Sequence, residues 1–299
     1  MENEYERLVR EAGLPPEALP SDAFFCDGAE REVDRAKAAA AGVPATAAGE
    51  AADPAYQAAL ARAQAIADAK AAHEDINAIE ERRAALRHAA TPGAPVPPVK
   101  IGVLLSGSGT NLQALIDAIA AGSLNAQIVL VVSSRPSAQG LKRAEAAGIQ
   151  TLSLSKDIYA DPITADEVIA TELYRAGAEF VVMAGYMRMV HAPLLATFPN
   201  RVINIHPALL PSFQGAHGIA DAYARGVKVT GVTVHIANEV YDQGPILAQK
   251  PVRIEESWSL DELECTIHRV EHKLYPHVVQ LLAEGRIHVN DDLTVAIER

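Results

Sequence analysis

Apolar residues follow two different rhythms along this chain, and the change falls near residue 98. Beyond it, short runs rich in Val, Ile and Leu recur: "IGVLLSG", "AQIVLVVSS", "QTLSLS", "AEFVVMAGY", "RVINIH" and "VTGVTVHIA". Each has the length and β-branched content of a strand. Between the first five lie helical patterns such as "NLQALIDAIAAG" and "QGLKRAEAAG", each closing on a glycine suited to end a helix. Strands alternating with helices at this spacing predict an α/β fold, a mostly parallel twisted sheet with helices on both faces. Ligands of such sheets sit beyond the carboxyl ends of the strands, so the residues following each run carry the functional information.

Before residue 98 the pattern is Ala-rich and acidic. Residues 53–90 predict one or two helices: Asp53 and Pro54 suit the N-cap and first helical positions, and strong helix formers follow. Ile76, Ile79 and Leu86 form a narrow apolar stripe at helical spacing. So little large apolar surface holds little core by itself, leaving packing on a neighbour, a protein partner for residues 1–90, or partial mobility as alternatives. "TPGAPVPP", residues 91–98, reads as a Pro-rich linker. The predicted organisation is an Ala-rich helical extension over 1–90, this linker, and a catalytic domain over 99–299.

Composition narrows the field. A chain of 299 residues has room for about two domains at roughly 150 residues each. At 49% hydrophobic, 21% charged and a net charge of −12, it reads as a soluble protein and not as a general nucleic-acid binder. The opening "MENEYERLVR" lacks the basic and apolar parts of a secretory signal, and no apolar run approaches the ~18 residues of a membrane span. The expected setting is cytoplasmic, with no membrane contact. Cys26 and Cys265 lie far apart without metal-ligand spacing, and both are expected as free, buried thiols.

Two stretches carry candidate chemistry. "SGSGTN", residues 106–111, opens directly into a helical pattern, so Gly107 and Gly109 offer backbone N–H groups and a helix dipole to a phosphate. The alternative is a plain tight turn with helix capping. A dinucleotide is disfavoured because Leu112 stands where a third Gly or Ala belongs, and "VVSSRP" supplies no acid for a ribose. In "NIHPALLPSFQGAH", residues 204–217, Asn204 and His206 share one strand face just where Pro207 stops the strand. An amide beside an imidazole at a strand end suits catalysis, although a strand-end His is often only a capping group.

Taken together, "KIGVLLSGSGTNLQALIDAI", "VVMAGYMRMV", "NIHPALLPSFQGAHGIADAYARGVKVTGVTVH" and "YDQGPILAQ" resemble the phosphoribosylglycinamide formyltransferase family over residues 99–289. The resemblance implies the formyltransferase fold and transfer of a formyl group from 10-formyltetrahydrofolate, a co-substrate, to the amine of glycinamide ribonucleotide in purine synthesis. By that resemblance Asn204, His206 and Asp242 are the catalytic trio. Gly109, Thr110 and Asn111 would take the phosphate end of the ribonucleotide; His268, Arg269, Val270 and Glu271 would contact the rest. Met187, Arg188, Met189 and Val190, with Asn204 and Asn238, Glu239, Val240, Tyr241 and Asp242, would line the folate pocket. Asn204 would donate to the oxyanion, as would a protonated His206 acting as general acid and electrostatic stabiliser. Asp242 would raise the His206 pKa and relay protons. No metal is implied, and the partners are small molecules.

The chain departs from the family pattern in places. Pro162 stands where members often carry an Arg that helps hold folate, leaving Arg188 and Lys156; Gln214 replaces a common Pro, and Val240 and Tyr241 are unusual. His217 and His235 belong to the pattern near the site, as support or as plain structure, while His191, His272, His277 and His288 read as structural or solvated. Related readings keep the fold: a formyltetrahydrofolate deformylase, or a methionyl-tRNA formyltransferase, which would need a basic extension. A catalytically silent scaffold is the reading from another class.

Overall fold

The structure, a computed structural model, describes residues 76–89, 96–290 and 292–298. In chain order the elements are α1 (Ile76–Ala89), β1 (Val99–Leu105), α2 (Thr110–Ala120), β2 (Ala126–Ser133), α3 (Gln139–Ala146), β3 (Thr151–Ser153), α4 (Pro162–Arg175), β4 (Phe180–Met183), α5 (Ala192–Thr197), β5 (Val202–His206), α6 (Gly218–Arg225), β6 (Val229–Ile236), β7 (Ile246–Arg253), α7 (Leu260–Ala283), β8 (Ile287–Val289) and β9 (Val295–Ile297). Seven strands form one sheet in the order β3-β2-β1-β4-β5-β6-β7. The first four pairings, from β3 to β5, are parallel, and β6 and β7 join antiparallel. The predicted strands are all present, and the order reverses between β1 and β4, which opens a crevice above their carboxyl ends.

The runs are apolar on both sides because both sheet faces are covered. Within β1, Ile101, Val103 and Leu105 belong to a core shared with α2, α3, α6 and α7, whereas Leu104 faces a second core built with α4 and α5. Helices therefore occupy both faces, as the alternation predicted. The long helix α7 begins with a reciprocal cap: Ser259 Oγ accepts the Glu262 N–H, and the Glu262 carboxylate accepts the Ser259 N–H. Its Tyr275 is fully buried, with the phenol oxygen 3.0 and 2.9 Å from the carbonyl oxygens of Met183 and Ile203. That contact seats α7 beneath the ends of β4 and β5.

Of the predicted N-terminal helices, 53–75 lies outside the described residues, and α1 realises the rest. It packs on the α/β unit. Ile76 and Ile79 join the larger core. Asn77 pairs with Val289 twice, donating to its carbonyl at 2.8 Å and accepting its N–H at 2.9 Å. Arg83 Nε donates to the Ala283 carbonyl at the end of α7, and Nη2 to Pro97. The approach is close at Gly285, where a Cβ would lie 2.3 Å from the Ala84 nitrogen. One expectation fails here: Leu86 is 40% exposed, because the face that docks is set by positions 76, 79, 80 and 83. A second correction concerns Cys265. It is half-buried on the flank of α7 and disulfide-bonded, not a free thiol; the lack of a metal-ligand spacing does not decide whether a thiol is paired. Cys26 lies outside the described residues. Among the described residues no helix is long and apolar enough to cross a membrane.

Candidate active site

The crevice is built from strand ends. β1 runs into the glycine turn, and Gly109 adopts φ 73° as the N-cap of α2. A Cβ there would stand 2.5 Å from Gly140 Cα, so only glycine fits both the backbone turn and the neighbouring loop. No side chain caps α2, and the first N–H groups of a helix lack partners within it. Beside the turn, Asn111 is buried and its Nδ2 donates to Glu271 Oε2 at 3.1 Å. His268 Nδ1 lies 3.0 Å from the same oxygen. Asn111 Oδ1 and His268 Nε2 are buried without a hydrogen-bond partner, an arrangement that calls for a polar ligand or water. Of the other residues expected here, Thr110 begins α2, half-buried. Arg269 is exposed and bonds within its own helix to Cys265 and Thr266, while Val270 packs on the core. Those two do not join Asn111.

The loop after β4 carries 187–190. Met187 is 58% exposed and Val190 buried, with Met189 between these extremes. The Arg188 guanidinium stacks 4.2 Å over the Tyr159 ring. Pro162 is exposed at the first position of α4 behind the Asp161 cap, so its ring serves helix initiation and offers no charge. Across the crevice, Asn238 accepts the Val240 N–H at 3.2 Å, and Glu239, Val240 and Tyr241 are exposed.

Asn204, His206 and Asp242 converge. β5 places the first two on one face, and Asp242, at φ 55° in the β6–β7 loop, reaches over them. His206 Nδ1 is 3.4 Å from Asp242 Oδ2. Its Nε2 lies 2.7 Å from the Phe213 carbonyl, which can only accept, so Nε2 carries the proton. Asp242 Oδ2 also accepts the Gly215 N–H at 2.8 Å, and the Gln214 side chain donates to the Asp242 carbonyl at 3.3 Å. His235 lies opposite Asn204 in the β5–β6 ladder, with Nε2 3.2 Å from Asn204 Nδ2 and 3.5 Å from Asp242 Oδ1. Its Nδ1 donates to the Ile236 carbonyl, so Nε2 is the ring nitrogen that faces both the Asn204 amide and Asp242. Of the two undecided histidines, His235 thus joins the site, while His217 is exposed and precedes α6.

Burial pushes the His206 imidazole below its ordinary pKa, outweighing the Asp242 carboxylate and the Phe213 carbonyl, which push it up. Asp242 raises the His206 pKa as expected, but burial outweighs it, so the protonated His206 expected as general acid and oxyanion donor is corrected to a neutral imidazole at neutral pH. The depth of burial is what the sequence concealed. Burial also pushes Asp242 up, but His235, His206 and the Gly215 N–H together hold its carboxyl below the ordinary value.

Sequence reasoning did not find Ser106, Asp166, Phe213 or Gly215. Single hydroxyls and backbone groups leave no pattern, although Asp166 on α4 is a carboxylate on a face that the helical period marks as buried. Among the described residues no group of three or more His, Cys, Asp or Glu side chains is placed to hold a metal ion.

A family model described as formyl transferase matches residues 99–279. The phosphoribosylglycinamide formyltransferase of Bacillus subtilis (strain 168) is 37% identical over 183 residues, 61% of this chain and 94% of the relative. The crystal structure of a glycinamide ribonucleotide transformylase from Symbiobacterium toebii matches with a TM-score of 0.67 at 39% identity, covering 70% of this chain and 99% of that one. A formyltetrahydrofolate deformylase from Pseudomonas syringae pv. tomato is similar at a TM-score of 0.62 and 25% identity, over 68% of this chain and 66% of that one.

Proposed function

This chain belongs to the formyl transferase family, and from that footing we propose that it transfers the formyl group of 10-formyltetrahydrofolate to the amine of glycinamide ribonucleotide. The observation that carries the reading is the convergence of an amide, an imidazole and a carboxylate from β5 and the β6–β7 loop, with His206 Nδ1 3.4 Å from Asp242 Oδ2. The phosphate of the ribonucleotide would rest on the N–H groups of Gly109, Thr110 and Asn111. The buried, unpartnered Asn111 Oδ1 and His268 Nε2, with Glu271 between them, suit its polar remainder. The folate would lie between loop 187–190 and residues 238–242, with Arg188 the cation on the first of these loops.

Attack of the amine on the formyl carbon forms a tetrahedral centre with an oxyanion and a positively charged nitrogen. The Asn204 amide, held 3.2 Å from His235 Nε2, would donate an N–H to the oxyanion. His206 starts neutral, because burial holds its pKa down, and its Nδ1 can take the proton that the amine sheds. The Asp242 carboxylate then stabilises the imidazolium. Collapse of the intermediate breaks the bond from formyl carbon to folate nitrogen, and the proton passes to that leaving nitrogen, directly or through water.

The test is formyl transfer by the purified chain with both substrates, beside an arm lacking the ribonucleotide. Transfer that requires the ribonucleotide supports the proposal. Formyl release of equal rate without it makes water the acceptor and overturns it.

A further inference from the structure

Ser106 is 1% exposed at the point where the glycine turn leaves the sheet. The β1–β4 ladder continues past the last paired residues: the Ala184 N–H donates to the Leu104 carbonyl, then the Ser106 N–H to the Gly185 carbonyl at 3.0 Å. The next rung ends on a side chain, with the Met187 N–H donating to Ser106 Oγ at 2.8 Å. The Ser106 hydroxyl also lies 2.6 Å from Ser134 Oγ, and the Ser134 N–H donates to the Leu105 carbonyl at the end of β1. One buried hydroxyl therefore joins the ends of β1, β2 and β4. The loop it holds is fixed again at its far side. Asp166, 2% exposed on α4, accepts the His191 N–H at 2.5 Å, and its Oδ2 lies 3.2 Å from His191 Nδ1.

We propose that Ser106 and Asp166 are positioning residues that pin loop 187–190 at its two ends, and that Ser106 also ties this loop to the phosphate turn. The inference rests on the reading of these two segments as the folate loop and the ribonucleotide turn. It assigns the two residues different signatures. Ser106 touches both ligand segments, so its loss loosens both. Asp166 touches only the folate loop, so its loss loosens one. Neither side chain contacts Asn204, His206 or Asp242, and the cost falls on ligand binding before it falls on turnover.

The experiment compares Ser106→Ala, Asp166→Ala and Asp166→Asn with wild type, measuring kcat, both KM values, thermal melting, and binding of each ligand alone by calorimetry. Loss of one buried hydrogen bond corresponds to about a three- to tenfold loss of affinity. Ser106→Ala raises KM and dissociation constant for both ligands by about that factor. Asp166→Ala raises them for folate only, and Asp166→Asn, whose side-chain oxygen still accepts the His191 N–H, recovers most of the loss. A merely structural role would lower melting temperature and active fraction while leaving both KM values in place, and that result overturns the inference. Unchanged affinities for Ser106→Ala, with an active wild type, overturn it alone. A wild type that binds neither ligand overturns it together with the functional reading.

Discussion

Two buried carboxyl groups, one in the crevice and one on the docked face of α1, behave in opposite ways. Asp242, 6% exposed in the crevice, is held below its ordinary pKa, whereas Glu80, 3% exposed under α1, is pushed from 4.5 up to about 8. Burial raises both. The difference lies in their partners. Asp242 has His235 and His206 within 3.5 Å and accepts the Gly215 N–H. Glu80 accepts the Ile287 N–H through one oxygen, while the other is buried without a partner; burial outweighs the pull of Arg83. The same chemical group is kept as an anion where chemistry is proposed and as a neutral acid where a helix is docked.

Removing partners at the crevice gives the largest effects. Replacement of His206 by Ala takes away the proposed proton acceptor and lowers kcat by about 10²–10⁴, with a much smaller change in folate KM. Steady-state kinetics read both numbers. His235→Ala moves Asp242 toward the state of Glu80, because the largest opposing partner of its carboxyl is gone. The acid limb of kcat/KM should then shift to higher pH, with roughly a tenfold loss at neutral pH. In the wild type, the limb belonging to His206 should fall below the ordinary imidazole value, since the imidazole stays neutral to lower pH than a solvated one.

The other end of the comparison is tested by stability. Unfolded Glu80 ionises near 4.5, while the folded chain keeps its proton until about 8. Between those values the unfolded state binds fewer protons, so stability falls as pH rises through the window and is lowest above it. Glu80→Gln removes that dependence: thermal melting should rise by a few degrees at pH 8.5, on the order of 1 kcal/mol or more, and change little at pH 4.5. Leu86→Ala, at a 40% exposed position on the same helix, should alter stability by no more than about 0.5 kcal/mol.

The sheet was legible because a strand buried on both faces writes itself as a continuous apolar run, as β1, β2 and β4 do. β7 was not. Its burial alternates irregularly around Gln249, Lys250 and Pro251, the texture of an edge strand. The trio was legible because family motifs carry Asn204, His206 and Asp242 together. The hydroxyl of Ser106, the carbonyl of Phe213 and the turned Arg269 were not, since each depends on where a neighbouring segment lies. The direction of the His206 pKa escaped for a related reason: a charge partner can be named from sequence, but the thickness of protein above it cannot.

The most direct measurement is the turnover of Asp242→Asn with both substrates at saturation. Asparagine keeps the shape and a hydrogen-bond acceptor but cannot balance a proton on His206. The expected result is a folded enzyme whose kcat is lower by about 10² or more. A variant turning over within twofold of wild type would mean that the carboxylate does not serve the imidazole, and the proposed mechanism would be wrong.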